Sequence, residues 1–140
     1  MHVSGLLDDT MFGRPLSIDG DENNRRTIYA FVERQNLPNI IQVFDAANAD
    51  SSTSKRPSTT VAQQALFALN SPLIERITTS LASRVTATDS PSQVQQLYHH
   101  VLCRKPTVRE LKLGTEFLRS NPLNHYAQVL LLSNEVWFID

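Results

Sequence analysis

Five helix-start signals crowd the sequence after residue 59 and leave little room for strands. Thr60–Gln63 and Thr107–Glu110 fit capping boxes, in which a hydroxyl and a Gln or Glu side chain three residues later each bind the other residue's backbone N–H. Ser71–Pro72, Ser90–Pro91 and Asn121–Pro122 place a small polar residue before Pro, which is favoured in the first turn of a helix. This part of the chain is therefore predicted to be helical.

Apolar residues recur at helical spacing between these signals, as they do in helices that bury one face. Before residue 45, the same spacing predicts two shorter helices, over residues 25–35 and over residues 37–44, with Pro38 near the start of the second. The stripes after residue 72 consist of Leu73, Ile77, Leu81 and Val85, of Val94, Leu97, Tyr98, Val101 and Leu102, and, more weakly, of Leu111, Phe117 and Leu118.

Two segments are apolar on nearly every side when drawn as helices, namely residues 61–69 and residues 126–139. A helix of that kind is normally buried. We therefore predict that these two helices lie side by side at the centre of the protein. The amphipathic helices 72–87, 91–103 and 108–119 are then expected to wrap around them.

These signals predict an all-α fold, a single orthogonal bundle of about six or seven helices. A chain of 140 residues has the length of one domain, residues 1–140. Residues 1–24 contain turn residues without a clear period and are expected to form an irregular N-terminal segment. Residues 46–59 are small and polar and are expected to form a surface loop.

Composition and charge exclude several function classes. The net charge is −1, which argues against a nucleic-acid partner, since a broad nucleic-acid surface needs clustered Lys and Arg. Cys103 is the one cysteine, so no internal disulfide can form. The longest apolar stretch is interrupted by Ser133, Asn134 and Glu135 and is too short to cross a bilayer. No apolar core of a signal peptide precedes Asp8, and the localisation is left open.

Motifs for catalysis or cofactor binding are also missing from the sequence. His99 and Cys103 share one helical face, but a closed zinc site needs four ligands. No glycine-rich phosphate loop, nucleophile elbow or haem-attachment motif occurs. We therefore predict no catalytic residue, no metal and no cofactor for this chain.

One polar cluster stands out against this background. Asn134 falls within the apolar sector of the last helix and Glu135 on a narrow polar strip beside it, so both are expected to need partners. Arg25 and Arg26 are the candidate donors, and a functional cleft would add Asp45. A structural tie between the two ends of the chain is the favoured interpretation of this cluster, and a small Arg/Glu/Asn site is the alternative.

Four stretches of the sequence, residues 3–16, 25–73, 97–111 and 126–140, resemble the C-terminal part of a planctomycete-specific domain of unknown function. That domain forms the C-terminal end of large proteins, which often carry a cytochrome c domain and look exported. In the family, the first stretch looks like the tail of a longer helix, so this chain is expected to be a partial member. The family has no established activity, and the resemblance therefore implies no catalytic residue.

The sequence departs from the family at Cys103, where the family pattern tends to have Gly. Glycine favours the left-handed conformation that ends many helices. A cysteine in that conformation is expected to cost about 1 kcal/mol, or to end the helix differently.

Two functions are compatible with these observations. The first is a non-catalytic helical interaction or scaffold module, which docks other domains or chains of a larger multidomain protein, or a second copy of itself. The alternative is a fragment of a hydrolytic or redox enzyme whose active site needs upstream domains. On the first hypothesis, this chain alone is not an enzyme.

Overall fold

The computed structural model describes residues 1–18, 23–33, 36–44 and 62–137. Chain contacts divide the protein into two compact units: Leu7–Ala68, here called the N-terminal unit, and Met1–Leu6 with Leu69–Asp140, here called the helical unit. The described residues contain seven α-helices, so the predicted mostly helical fold and helix number are confirmed. The helices are α1 Asn39–Val43, α2 Ala62–Asn70, α3 Pro72–Ser83, α4 Ser90–Leu102, α5 Val108–Phe117, α6 Leu123–Leu131 and α7 Asn134–Trp137. That the chain is a single domain stays a prediction.

The core of the helical unit is made by α3, α4 and α6. Helix α3 packs chiefly on α6, and α4 packs on α5. Burial of aliphatic and aromatic side chains of this kind is the main driving force for folding. The buried residues of this core are Leu81, Val94, Leu97, Tyr98, Tyr126, Ala127 and Leu130.

The predicted central pair of helices is wrong for one member, because α6 lies in the core of the helical unit whereas none of the described residues of α2 belongs to that core. Helix α4, expected at the periphery, is central, because Val94 and Leu97 are fully buried. Helix α2, expected to be buried on nearly every side, leaves more than half of Leu66 and Leu69 exposed. Apolar spacing shows which sides of a helix could be buried, whereas burial also requires a neighbouring element to cover them.

The helix-start signals are confirmed best at α5. The Thr107 hydroxyl accepts the Glu110 N–H at 3.3 Å, and the Glu110 carboxylate accepts the Thr107 N–H at 2.7 Å, which completes the predicted capping box. Helix α3 has Pro72 in its first turn, as predicted, although Ser71 is buried and forms no side-chain cap. The proposed capping box at Thr60 lies outside the described residues.

The two other Pro-based starts use different caps from those predicted. Helix α4 begins at Ser90, but the capping side chain is that of Asp89, which accepts the Ser92 N–H at 3.0 Å. Helix α6 begins after Pro122, while the Asn121 side chain donates backwards to the Phe117 carbonyl at 3.1 Å. Both helices therefore start within one or two residues of the signal, which is the usual accuracy of such boundaries.

The N-terminal unit corrects the prediction of a helix over residues 25–35. Residues Thr27–Tyr29 form a single 3-10 turn, followed by the short strand β2, Ala30–Phe31. This strand pairs in parallel with β1, Leu16–Ser17. The segment is rich in β-branched and aromatic residues, which favour extended backbone, and it lacks a capping side chain.

The remaining expectations for this unit are partly tested. The second short helix is confirmed as α1, which begins directly after Pro38. The described residues before position 25 contain turns and β1 but no helix, as expected for an irregular segment. The predicted surface loop over residues 46–59 lies outside the described residues.

Helix α4 ends in a left-handed residue, Cys103, at the position where the sequence resemblance implies glycine. Cys103 has φ 54° and ψ 24° and is exposed. A residue with a Cβ atom is disfavoured in this region, whereas glycine enters it without steric cost.

Replacing Cys103 by Gly should therefore raise the free energy of unfolding by about 1 kcal/mol, because glycine removes the steric penalty and no packed side chain is lost. The measurement is urea unfolding followed by far-UV circular dichroism. Cys103→Ala is the control, because alanine keeps the Cβ atom and should change stability by less than about 0.5 kcal/mol. Equal effects of the two substitutions would contradict the prediction.

Candidate functional site

Arg104, in the short connection between α4 and α5, is the centre of a charged cluster in the helical unit. Its Nη1 and Nη2 atoms donate to the two carboxylate oxygens of Glu110 at 3.0 and 2.8 Å. Its Nε and Nη2 atoms donate to the two carboxylate oxygens of Glu135, both at 2.7 Å. Each carboxylate is thus held by two hydrogen bonds, the strongest geometry for an Arg–carboxylate pair.

The hydrogen-bonding capacity of Arg104 is fully used. Nη1 also donates to the Lys105 carbonyl at 3.1 Å, so all five guanidinium N–H groups have an acceptor. The guanidinium carbon lies 5.2 Å from the centre of the Tyr98 ring, on the buried side of the cluster. No donor of Arg104 is left for an anionic substrate.

The cluster shifts the pKa values of its members in directions that favour the charged forms. The Arg104 hydrogen bonds, together with the Thr107 N–H, lower the pKa of Glu110 to about 2. Arg104 also lowers the pKa of Glu135, and the two carboxylates raise the pKa of Arg104. At neutral pH, both carboxylates are therefore ionised and are poor proton acceptors, the opposite of what a general base requires.

Two buried tyrosines lie beneath the cluster. Burial raises the pKa of both Tyr98 and Tyr126. Helix α5 approaches Tyr126 closely at Gly114, where a Cβ atom would lie 2.7 Å from the Tyr126 Cζ. Both rings therefore belong to the packed core of the helical unit.

Of the predicted polar cluster, Arg25 and Arg26 belong to the N-terminal unit, and Asn134 and Glu135 belong to the helical unit. Glu135 lies at the start of α7 and is paired with Arg104, not with Arg25 or Arg26, and Glu135 and its neighbour Asn134 are both exposed. The expected burial of Asn134 is wrong because α7 is a separate short helix, so the spacing extended from α6 does not apply. Arg26 is exposed, and Asp45 lies outside the described residues.

Arg25 has its own partners within the N-terminal unit. Its guanidinium donates to the carbonyl of Thr10 at 2.9 and 3.2 Å and to the carbonyls of Phe12 and Arg14, and it lies 4.7 Å from the Tyr29 ring centre. These bonds hold a loop in which Phe12 has φ 63°. Arg25 therefore organises backbone, which is a structural role.

Sequence reasoning missed Arg104 as the centre of the cluster. The sequence patterns single out Glu110 only as a capping residue and do not single out Arg104. The capping box was the available signal, because it fixes the Glu110 carboxylate beside the loop that carries Arg104. Glu135 is 31 residues from Arg104, beyond the reach of any local spacing rule.

Within the described parts of the chain, no group of three or more His, Cys, Asp or Glu side chains could hold a metal ion. Cys103 and His99 are included in those residues. None of the described helices combines the length and the apolar character needed to cross a bilayer.

The fold and the cluster together define a small, mostly helical protein in which the charged groups join secondary-structure elements. A family model for proteins of unknown function (DUF1553) matches residues 1–118, and the chain belongs to this family. The matched range includes the Arg104–Glu110 pair and ends before Glu135. No curated protein and no solved structure is a match.

Proposed function

We propose that this chain is a non-catalytic helical interaction module, and that its N-terminal unit docks on another domain or chain of a larger protein. The observation that carries the proposal is the unequal burial of apolar side chains in the two units. Among the described residues of the N-terminal unit, Ala68 is the only buried hydrophobic residue. The large apolar residues exposed in that unit are Met11, Phe12, Leu16, Ile28, Phe31, Val32 and Leu66.

Exposure on this scale supports a docking role. Single exposed apolar residues are ordinary, but large exposed apolar areas mark interaction surfaces. Phe12 and Ile28 are 78% and 79% exposed, so little of either side chain contributes to the unit's own packing. Arg25 holds the backbone around Phe12, and such preorganisation lowers the entropic cost of binding.

The charged cluster supports the non-catalytic part of the proposal. Arg104 has no free donor, and the pKa values of Glu110 and Glu135 are lowered. These groups are thus suited to holding α5 and α7 in place, and they are poorly suited to proton transfer.

The likeness of the sequence to the planctomycete family suggests the partner. We propose that the module forms the C-terminal end of larger planctomycete proteins that carry a cytochrome c domain. The region upstream of the module in those proteins then covers the exposed apolar residues of the N-terminal unit. On this proposal, the compartment is that of the larger proteins, which look exported.

The test is isothermal titration calorimetry of this chain with the separately produced upstream region of such a protein. We expect the wild type to bind and the Phe12→Ser, Ile28→Ser double variant to bind about tenfold more weakly or worse, because exposed aromatic and aliphatic anchors dominate most interfaces. Val129→Ser in the helical unit is the control and should bind like the wild type, because Val129 is an exposed apolar residue outside the proposed surface.

Absence of binding by the wild type, or binding that the double variant leaves unchanged, would refute the proposal. Circular dichroism of both variants shows whether the helices are retained, so that misfolding is distinguished from loss of the surface.

A further inference from the structure

A groove in the helical unit is a second candidate surface, with a lining different from that of the N-terminal unit. It has a volume of about 460 Å³ and lies along α5 beside the start of α4. This size is within the range of sites that take a few side chains of a ligand or peptide. Its lining consists of Pro91, Val108, Leu111, Lys112, Thr115, Glu116 and Arg119.

The apolar part of the groove is at the start of α5. Val108 is 88% exposed although it lies in the first turn of a helix whose other end packs in the core. Leu111 and Pro91 extend the same apolar lining. Partner side chains that fit this region are therefore aliphatic.

The charged part of the groove is cationic. Neither Lys112 nor Arg119 forms an ion pair with any residue that the structure describes, whereas Arg104, further from the groove, is fully paired. Glu116 is the one carboxylate in the lining. It is four residues after Lys112 and three residues before Arg119, a spacing that permits ion pairs, but it forms no ion pair with either. The lining thus has two positive charges and one negative charge.

From this charge pattern we propose that the groove binds a partner helix that carries two carboxylates and an aliphatic pair between them. Lys112 lies in α5, and Arg119 lies two residues beyond the end of α5 in a turn where its N–H donates to the Glu116 carbonyl, so about two helical turns separate the two cations. Carboxylates at positions i and i+7 of a partner helix match that separation, and aliphatic residues at i+3 and i+4 fall on the same face. The proposal concerns the helical unit and does not depend on the surface proposed for the N-terminal unit.

The test is a titration of the ¹⁵N-labelled full chain, followed by amide chemical shifts, with the peptide acetyl-EAALLAAE-amide and its matched counterpart acetyl-KAALLAAK-amide. We expect the acidic peptide to shift amides of residues 108–119 and to bind at least about fivefold more tightly than the basic peptide, because the charges of the latter oppose those of the groove. Raising the ionic strength should weaken the binding of the acidic peptide.

Charge reversal gives the decisive comparison. The Lys112→Glu, Arg119→Glu double variant should prefer the basic peptide, whereas Arg109→Glu, an exposed cation of α5 outside the groove, should keep the wild-type preference. Equal binding of the two peptides, no binding, or an unchanged preference in the double variant would overturn the proposal. If sodium acetate alone produces the same shifts, the groove holds a simple anion and the proposed helix is likewise rejected.

Discussion

Replacing Arg104 by Met should lower the free energy of unfolding by about 2 kcal/mol at neutral pH. Arg104 joins the start of α5 to the start of α7 through two paired carboxylates, Glu110 and Glu135. Its removal leaves these like charges without a common cation. The cluster is about one-third exposed at Arg104 and Glu110, so solvent screening keeps the expected loss below that of a buried pair. Urea unfolding followed by far-UV circular dichroism measures the change.

The effect of the Arg104→Met substitution should depend on pH in a defined direction. Hydrogen bonds from Arg104 lower the pKa of Glu110 from 4.5 to about 2 in the folded protein. A carboxyl group with a lowered pKa stabilises the fold fully above its unfolded pKa, and that stability is lost as the pH falls toward the folded pKa. The stability difference between the wild type and the variant should therefore be constant above about pH 5 and shrink between about pH 5 and pH 2.

Two further substitutions separate the cluster from general effects of charge. Arg109→Met removes an exposed cation of α5 that is not part of the cluster and should change stability by less than about 0.5 kcal/mol. Arg104→Lys should recover less than half of the loss, because an ammonium group cannot hold two carboxylates in a planar fork. If Arg104→Met costs no more than Arg109→Met, the cluster does not stabilise the fold.

Local signals in the sequence were enough to find most helices and their starts. The capping box at Thr107 is formed as predicted, and Pro72 and Pro91 lie in the first turns of their helices. The left-handed end of α4 at Cys103 could be anticipated from the sequence resemblance, which implies Gly at this position. These features depend on residues close together in the chain, so they survive whatever the rest of the protein packs against.

Features that depend on distant residues could not be predicted in the same way. Residues 25–35 have helical spacing, yet Ile28 and Phe31 are exposed and the backbone instead pairs with Leu16–Ser17. The apolar residues do recur at helical spacing, but among the described residues no element packs on Ile28 and Phe31 to bury them. The predicted donors for Glu135 were Arg25 and Arg26, whereas its partner in the structure is Arg104. Arg104 and Glu135 meet because α4, α5 and α7 pack together, and local spacing in the sequence carries no information on that packing.

Gly114→Ala should also destabilise the protein, by about 2–3 kcal/mol, although alanine is the better helix former by about 1 kcal/mol. Gly114 is buried in α5, and a Cβ atom there would lie 2.7 Å from the Tyr126 Cζ and 2.9 Å from the Val94 Cγ2. Both neighbours belong to the core and have no free space to move into. The added methyl group must therefore push α5 away from α4 and α6, and urea unfolding measures the cost.

Two comparisons identify the cause of this loss of stability: a substitution at the adjacent residue of α5, and the same Gly114→Ala substitution opposite a smaller side chain at position 126. Leu113→Ala, at the adjacent and largely exposed position, should change stability by less than about 0.5 kcal/mol. Tyr126→Phe removes the hydroxyl group that the new Cβ atom meets, so Gly114→Ala should cost less in that background than in the wild type. An equal cost in both backgrounds would show that close approach to the Tyr126 hydroxyl is not the reason for glycine at this position, and a stabilising Gly114→Ala would mean that α5 does not approach the core as closely as described.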